Sequence, residues 1–184
     1  DNAFDFDFEG MSQILANKLP PGTPRSFVVA GLPDSQTTLI TRMNEGKTVI
    51  NYSGHGAAGL WSGSGFFTNA TVPSLTNDTD PSFYSMLTCL NGYFLRTNGD
   101  SLGETLLFHP QGGASAVWAS TSKTTPDVQL IMAERFFELM AMSPRPAEFQ
   151  RVGDMIKEAK TAITFGADVR LSWVLLGDPA MKMP

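Results

Sequence analysis

The chain has a single cysteine, Cys89, in 184 residues. One thiol can form neither an internal disulfide nor a multi-thiolate metal site, so it is a structural thiol or a reactive one. Basic residues are also scarce: 13 Lys plus Arg stand against 18 Asp plus Glu, a net charge of −5, and they never cluster. A surface that neutralises a phosphate backbone needs such clusters, which argues against nucleic acid as a partner. No apolar run approaches the roughly 20 residues that span a bilayer. The opening DNAFDFDFEG lacks the basic and apolar regions of a signal peptide, and the chain as given reads as soluble. HExxH, GxGxxG and P-loop motifs are missing, so metal hydrolysis, dinucleotide binding and phosphoryl transfer find no support. Histidine occurs only twice, at His55 and His109.

What is present is ample apolar material: 42% hydrophobic residues, with 13 Phe and 3 Trp, enough for one core of ordinary domain size. Residues 1–184 read as one unit. Short apolar runs bounded by turn residues, SFVVAG (26–31), KTVINY (47–52), FYSMLT (83–88) and ASAVWA (114–119), predict buried parallel strands. Helical periodicity covers 9–19, 33–46, 101–108, 126–142 and 146–163, with Asp34 as N-cap and Gly46 as stop of the second. Strands alternating with helices predict an α/β sheet covered on both faces. Residues 57–82, rich in Gly, Ser, Thr, Asn and Asp, read as a long surface connection of the kind that carries function.

His55 stands just past the predicted strand KTVINY, between Gly54 and Gly56, and Cys89 holds the equivalent place after FYSMLT. Open α/β sheets put their sites at such strand ends. If the two strands are neighbours, their tips lie about 4.8 Å apart and both side chains face one cleft. An imidazole there can take the thiol proton and later protonate a leaving amine. Gly56 leaves an N–H free to point into the cleft, where with the Cys89 N–H it forms an oxyanion hole. The plainer readings stand beside this one. A lone cysteine at a strand end is often an inert buried thiol, and a histidine among glycines is often only a turn residue. His109, before Pro110, reads as a surface residue at a helix C-terminus, and the methionines at apolar positions read as core filling.

The series NYSGHG (51–56), TCLNGYF (88–94), SLGETLL (101–107), GGASAVWAST (112–121) and WVLLGDPAM (173–181) resembles the successive motifs of the gingipain family of cysteine peptidases, family C25. The resemblance covers nearly the whole chain. It implies a caspase-like three-layer α/β sandwich with a mostly parallel sheet between helices, incomplete on its N-terminal side. It also implies an endopeptidase with Cys89 as nucleophile, His55 as general base and acid, and Gly56 with Cys89 as oxyanion hole. The family's acidic pocket for Arg or Lys falls near the N-terminus, where Asp5 or Asp7 fits loosely; the alternative is a pair of solvated loop carboxylates. No cofactor is needed for this chemistry, although calcium can steady loops in related enzymes. Secretion or display on a bacterial cell surface is a further implication.

Two departures from the family pattern matter. Thr125 and Pro126 stand where the family has an aromatic pocket wall, and neither Trp61 nor Trp118 can simply replace it. The family's supporting acid and a preceding subdomain have no counterpart here, which predicts a companion N-terminal segment or subunit of the same enzyme against an open sheet edge. Two other functions use the same residues: a catalytically silent recognition or scaffolding module, and a thiol-dependent acyltransferase or thioesterase.

Overall fold

A computed structural model of the chain describes residues 6–183. Its frame is a four-stranded sheet of β1 (Val49–Ser53), β5 (Ser82–Leu87), β6 (Ala114–Ser120) and β7 (Trp173–Leu176), in that spatial order. The first three run parallel and β7 is antiparallel to β6. Every residue of β5 is buried, as a central strand covered on both faces requires.

Alternate residues of the sheet feed two separate cores. On the first face, Phe83, Leu87, Ala116 and Trp118 pack under α1 (Phe8–Lys18), α4 (Pro126–Ala141) and α5 (Val152–Thr161). On the second, Tyr84, Met86, Val117 and Ala119 meet α3 (Leu102–Phe108) and Met43 of α2 (Ser35–Asn44). This is the helix–sheet–helix arrangement expected of the fold class. Trp118, Phe136 and Trp173 form an aromatic cluster in the first core, with centroids 4.9 Å and 6.2 Å from Trp118; burying one such side chain contributes roughly 1.5–3 kcal/mol.

The structure departs from the sequence reading in five places. SFVVAG is not a strand: it runs as irregular chain, with Phe27 48% exposed. Pro20, Pro21 and Pro24 precede it, and proline interrupts the donors a ladder needs. The stretch after His55 is not a surface connection either. It forms a small antiparallel meander, β2 (Gly56–Ala57), β3 (Leu60–Trp61) and β4 (Phe67–Thr68), and buries Trp61, Phe67, Val72 and Leu75. Asp34 begins α2 through its carbonyl, not its side chain, because its φ of 56° turns the carboxylate away from the helix N–H groups. The helix read over 146–163 starts only at Val152, since Arg151 is extended, bridges Lys182, and leaves the Val152 N–H to the Met181 carbonyl. Finally, α6 (Ala167–Ser172) and β7 went unread. Gly46 does end α2, at φ 70°. Among the described residues no helix is long and apolar enough to cross a membrane.

Candidate active site

Turns leave the C-terminal ends of β1 and β5 side by side. Ser53 pairs with Leu87, and His55 and Cys89 each stand two residues further on. The pairing outlasts the strands, for the Gly54 N–H donates to the Leu87 carbonyl at 3.3 Å. Level positions on such strands are about 4.8 Å apart at the backbone. Histidine and thiol therefore belong to one end of the sheet.

The backbone of His55 is fixed from two directions: its carbonyl accepts from Tyr52 Oη at 2.7 Å and from the Ser62 N–H at 2.8 Å. Tyr52 is itself held flat against Trp61, centroids 4.4 Å apart and planes 4° from parallel. The ring of His55 is exposed and meets the edge of Phe8, 5.2 Å away at 74°. Among the described residues no hydrogen bond reaches that ring, so packing orients it.

Gly56 follows in β2, opposite Trp61. Because the Ser62 N–H bonds the His55 carbonyl, the alternation of an antiparallel ladder turns the Gly56 N–H away from β3. A Cβ at Gly56 would collide with Thr88 Oγ1 and stand 3.0 Å from the Leu60 carbonyl oxygen. Only glycine lets this strand lie so close to the residue that precedes Cys89.

Cys89 is half-buried. Its Sγ accepts from the Thr124 N–H at 3.4 Å and lies 3.8 Å from the Thr124 carbonyl. Buried Gln129 of α4 holds Thr124 in turn, its side-chain amide donating to Thr124 Oγ1. Among the described residues the Cys89 N–H has no acceptor. Leu90 then takes φ 63°, a costly left-handed conformation for a branched side chain, while its N–H bonds the Ser122 carbonyl at 3.1 Å. Asn91, fully buried, donates to the carbonyls of Ala57 at 2.6 Å and Leu60 at 3.2 Å. One side chain thereby clasps the cysteine turn to the histidine meander.

The sequence model of peptidase family C25 matches residues 3–184. The chain belongs to peptidase family C25. Among relatives, gingipain R2 of Porphyromonas gingivalis is 25% identical over 155 residues, which are 78% of this chain and 20% of that protein. Gingipain R1 of the same species is 24% identical over 155 residues, 78% of this chain and 15% of that protein. The solved complex of the pro- and mature domains of RgpB from P. gingivalis matches with a TM-score of 0.81 at 21% identity, over 95% of this chain and 42% of that chain. The crystal structure of gingipain R, described as an Arg-specific cysteine proteinase, matches at 0.73 and 21%, over 95% of this chain and 41% of that one. These structural likenesses establish the gingipain fold. The chain spans about a fifth of the length of gingipain R2 and about two fifths of the solved chains.

Within this C25 fold the acidic candidates separate. Asp7 caps α1, its Oδ1 accepting from the Gly10 N–H at 2.8 Å, one residue before the Phe8 that packs on His55. Asp5 lies outside the described residues. Thr125 and Pro126 open α4, directly after the Thr124 that touches Cys89, while Trp61 and Trp118 are buried in the two cores and unavailable as pocket walls. His109 is remote from Cys89 and bonds the Leu75 carbonyl through Nε2 at 3.0 Å. Sequence reasoning gave no role to Phe8, Asn91 or Thr124. Asn91 stood in plain view inside TCLNGYF, whereas nothing local marks Thr124 as a neighbour of the thiol. Among the described residues no group of three or more His, Cys, Asp or Glu side chains could hold a metal ion.

Proposed function

We propose that this chain is the catalytic portion of a cysteine endopeptidase, with Cys89 as nucleophile and His55 as general base and acid. The observation that carries the reading is the strand register, Ser53 opposite Leu87, with both side chains two residues beyond it. In the reaction His55 takes the thiol proton, and the sulfur adds to the scissile carbonyl carbon. The resulting oxyanion accepts from the N–H groups of Gly56 and Cys89. Collapse breaks the C–N bond as His55 gives its proton to the departing amine, and water then hydrolyses the thioester to restore the thiol. Membership of family C25 and the outward N–H of Gly56 support these roles.

Cleavage after Arg or Lys is part of the proposal, with Asp7 as the pocket acid: a carboxylate pairs bidentately with a guanidinium. The support is the Arg specificity stated for gingipain R and the position of Asp7 beside Phe8. A companion segment or subunit of the same enzyme is also part of it, because β1 ends the described sheet with β5 as its one neighbour. Export from a bacterial cell is part of the proposal too, with the bacterial gingipain relatives as its support.

The test is intact-mass labelling with a peptidyl-arginine acyloxymethyl ketone. One adduct on the parent chain, lost in Cys89→Ala and strongly slowed in His55→Ala, is the expected result. An adduct that persists in Cys89→Ala, or equal labelling by a peptidyl-glutamate reagent, sinks respectively the nucleophile and the basic preference.

A further inference from the structure

A groove of about 640 Å³ begins where the proposed oxyanion hole ends. One wall is the chain that follows Gly56, from Ala57 to Leu60, and the other is the chain that follows Cys89, including Leu90, Tyr93 and Leu95. Whatever carbonyl sits between the two N–H groups therefore lies at the mouth of this groove. The walls are braced: Asn91 joins them from beneath, and the Leu102 N–H of α3 holds the Ala58 carbonyl at 2.6 Å. The lining is mixed: Leu60, Leu90, Tyr93 and Leu95, the last 64% exposed, give it apolar surface, and Arg96, Thr97 and Asn98 are its polar members, with Arg96 the one charged group among them. Arg96 lines the groove half-buried, and among the described residues no carboxylate meets its guanidinium. The guanidinium makes two long contacts, 3.5 Å each, to the backbone carbonyls of Asp100 and Asn98. In a chain of net charge −5, a cation that lines a groove and has no acidic partner among the described residues is a place for a ligand's anion.

The position of the groove says which part of a substrate reaches it. Phe8 approaches the histidine from the first face of the sheet, with Asp7 next to it in the chain, whereas β2 and β3 pack with the second core. The two halves of a peptide leave the scissile carbon in roughly opposite directions. With the acyl half on the side of Asp7, the amine half leaves along the groove.

We propose that this groove binds the leaving-group side of a polypeptide substrate, taking an apolar residue against Leu60, Leu90 and Leu95 and an Asp or Glu side chain on Arg96. The inference rests on the peptidase reading for its direction, and binding tests it separately. Peptides that differ only in one leaving-side residue, Glu, Gln or Lys, are titrated by fluorescence anisotropy into the full chain carrying Cys89→Ala, which binds without turnover. The Glu peptide binds about fivefold tighter than Gln, as a partly exposed ion pair allows. That preference weakens with added salt, disappears in Arg96→Ala, survives in part in Arg96→Lys and reverses toward Lys in Arg96→Glu. Equal affinity for Glu and Gln peptides, or a Glu preference unchanged by Arg96→Ala, overturns the proposal. So does an acidic preference that appears only when Glu is moved to the acyl side. Failure of Cys89 labelling strikes the peptidase reading and leaves this measurement intact.

Discussion

Asp7 is asked to do two things that one substitution can separate. As the N-cap of α1 it accepts a backbone N–H, and as the proposed pocket acid it would offer a negative charge. Asparagine caps as well as aspartate but carries no charge. Asp7→Asn is therefore expected to melt with the parent and to lose the preference for Arg over neutral reagents, whereas Asp7→Ala loses about 1 kcal/mol of stability as well. Urea titration with labelling rates reads both; an Asp7→Asn chain that keeps its Arg preference leaves Asp7 a cap and nothing more. Gly56 is the sharper case. A Cβ there collides with buried Thr88, whose β-branched side chain is stiff at χ1. Gly56→Ala should cost about 1–3 kcal/mol and displace the N–H donor. Pairing it with Thr88→Ser removes one methyl but not the hydroxyl, so it should restore little. Full recovery of stability in that double variant would show that the methyl, not Oγ1, sets the limit.

At the scale of elements, the site is a join between two turns that secondary structure alone does not hold together. Asn91 makes the join by donating to both Ala57 and Leu60. Asn91→Leu removes both side-chain donations to the part-buried Ala57 and Leu60 carbonyls, at about 1–3 kcal/mol, and frees the meander to move relative to Cys89. We expect that chain to remain folded by circular dichroism while its Cys89 labelling rate falls at least about tenfold, the scale on which small misplacements matter in catalysis. A labelling rate equal to the parent would mean that the meander is positioned without the clasp. Helix α3 supports the same region through a complete capping box, the Ser101 hydroxyl accepting from the Glu104 N–H while Glu104 accepts from the Ser101 N–H at 2.9 Å. Ser101→Ala should therefore cost about 1 kcal/mol or somewhat more in urea unfolding. A cost near zero would mean that the groove edge does not depend on this cap.

For the molecule as a whole, alkaline pH probes the second core. Burial pushes the phenols of Tyr52 and Tyr84 far above their ordinary value of 10.0. In the unfolded chain both ionise near pH 10, while in the native protein both keep their protons. The unfolded state then binds fewer protons, so stability is intact below about pH 10 and falls as pH rises beyond it, by up to about 1.4 kcal/mol per pH unit for each tyrosine. Urea midpoints measured at about pH 9 and pH 11 should drop in the parent and drop much less in a Tyr52→Phe, Tyr84→Phe chain. Parallel drops in the two proteins would assign the effect to other groups. Because Tyr52 also holds the His55 carbonyl, the same titration in Tyr52→Phe alone reports whether the site loosens before the core does.

Much of this protein was settled locally. Buried strands read as unbroken apolar runs, and three of the four predicted ones are the parallel core of the sheet. The spacing from His55 to Cys89 equals the offset of Ser53 from Leu87, so a sequence interval already contained the register that makes the two side chains level. The fold class was legible for the same reason: it depends on residue type and short-range order. What sequence could not supply was every relation that needs a third element. Trp61 and Phe67 sit among glycines and serines, and only packing against Tyr52 and Tyr84 turns that stretch from a loop into a small sheet. The chain 26–31 has strand chemistry and no strand, because β-structure requires a partner and 26–31 has none among the described residues. Thr124, Phe8 and Arg96, which meets no carboxylate among the described residues, acquire meaning only when distant parts of the chain are brought together. Periodicity records which face a residue prefers, but which residue it meets there is decided by the tertiary structure.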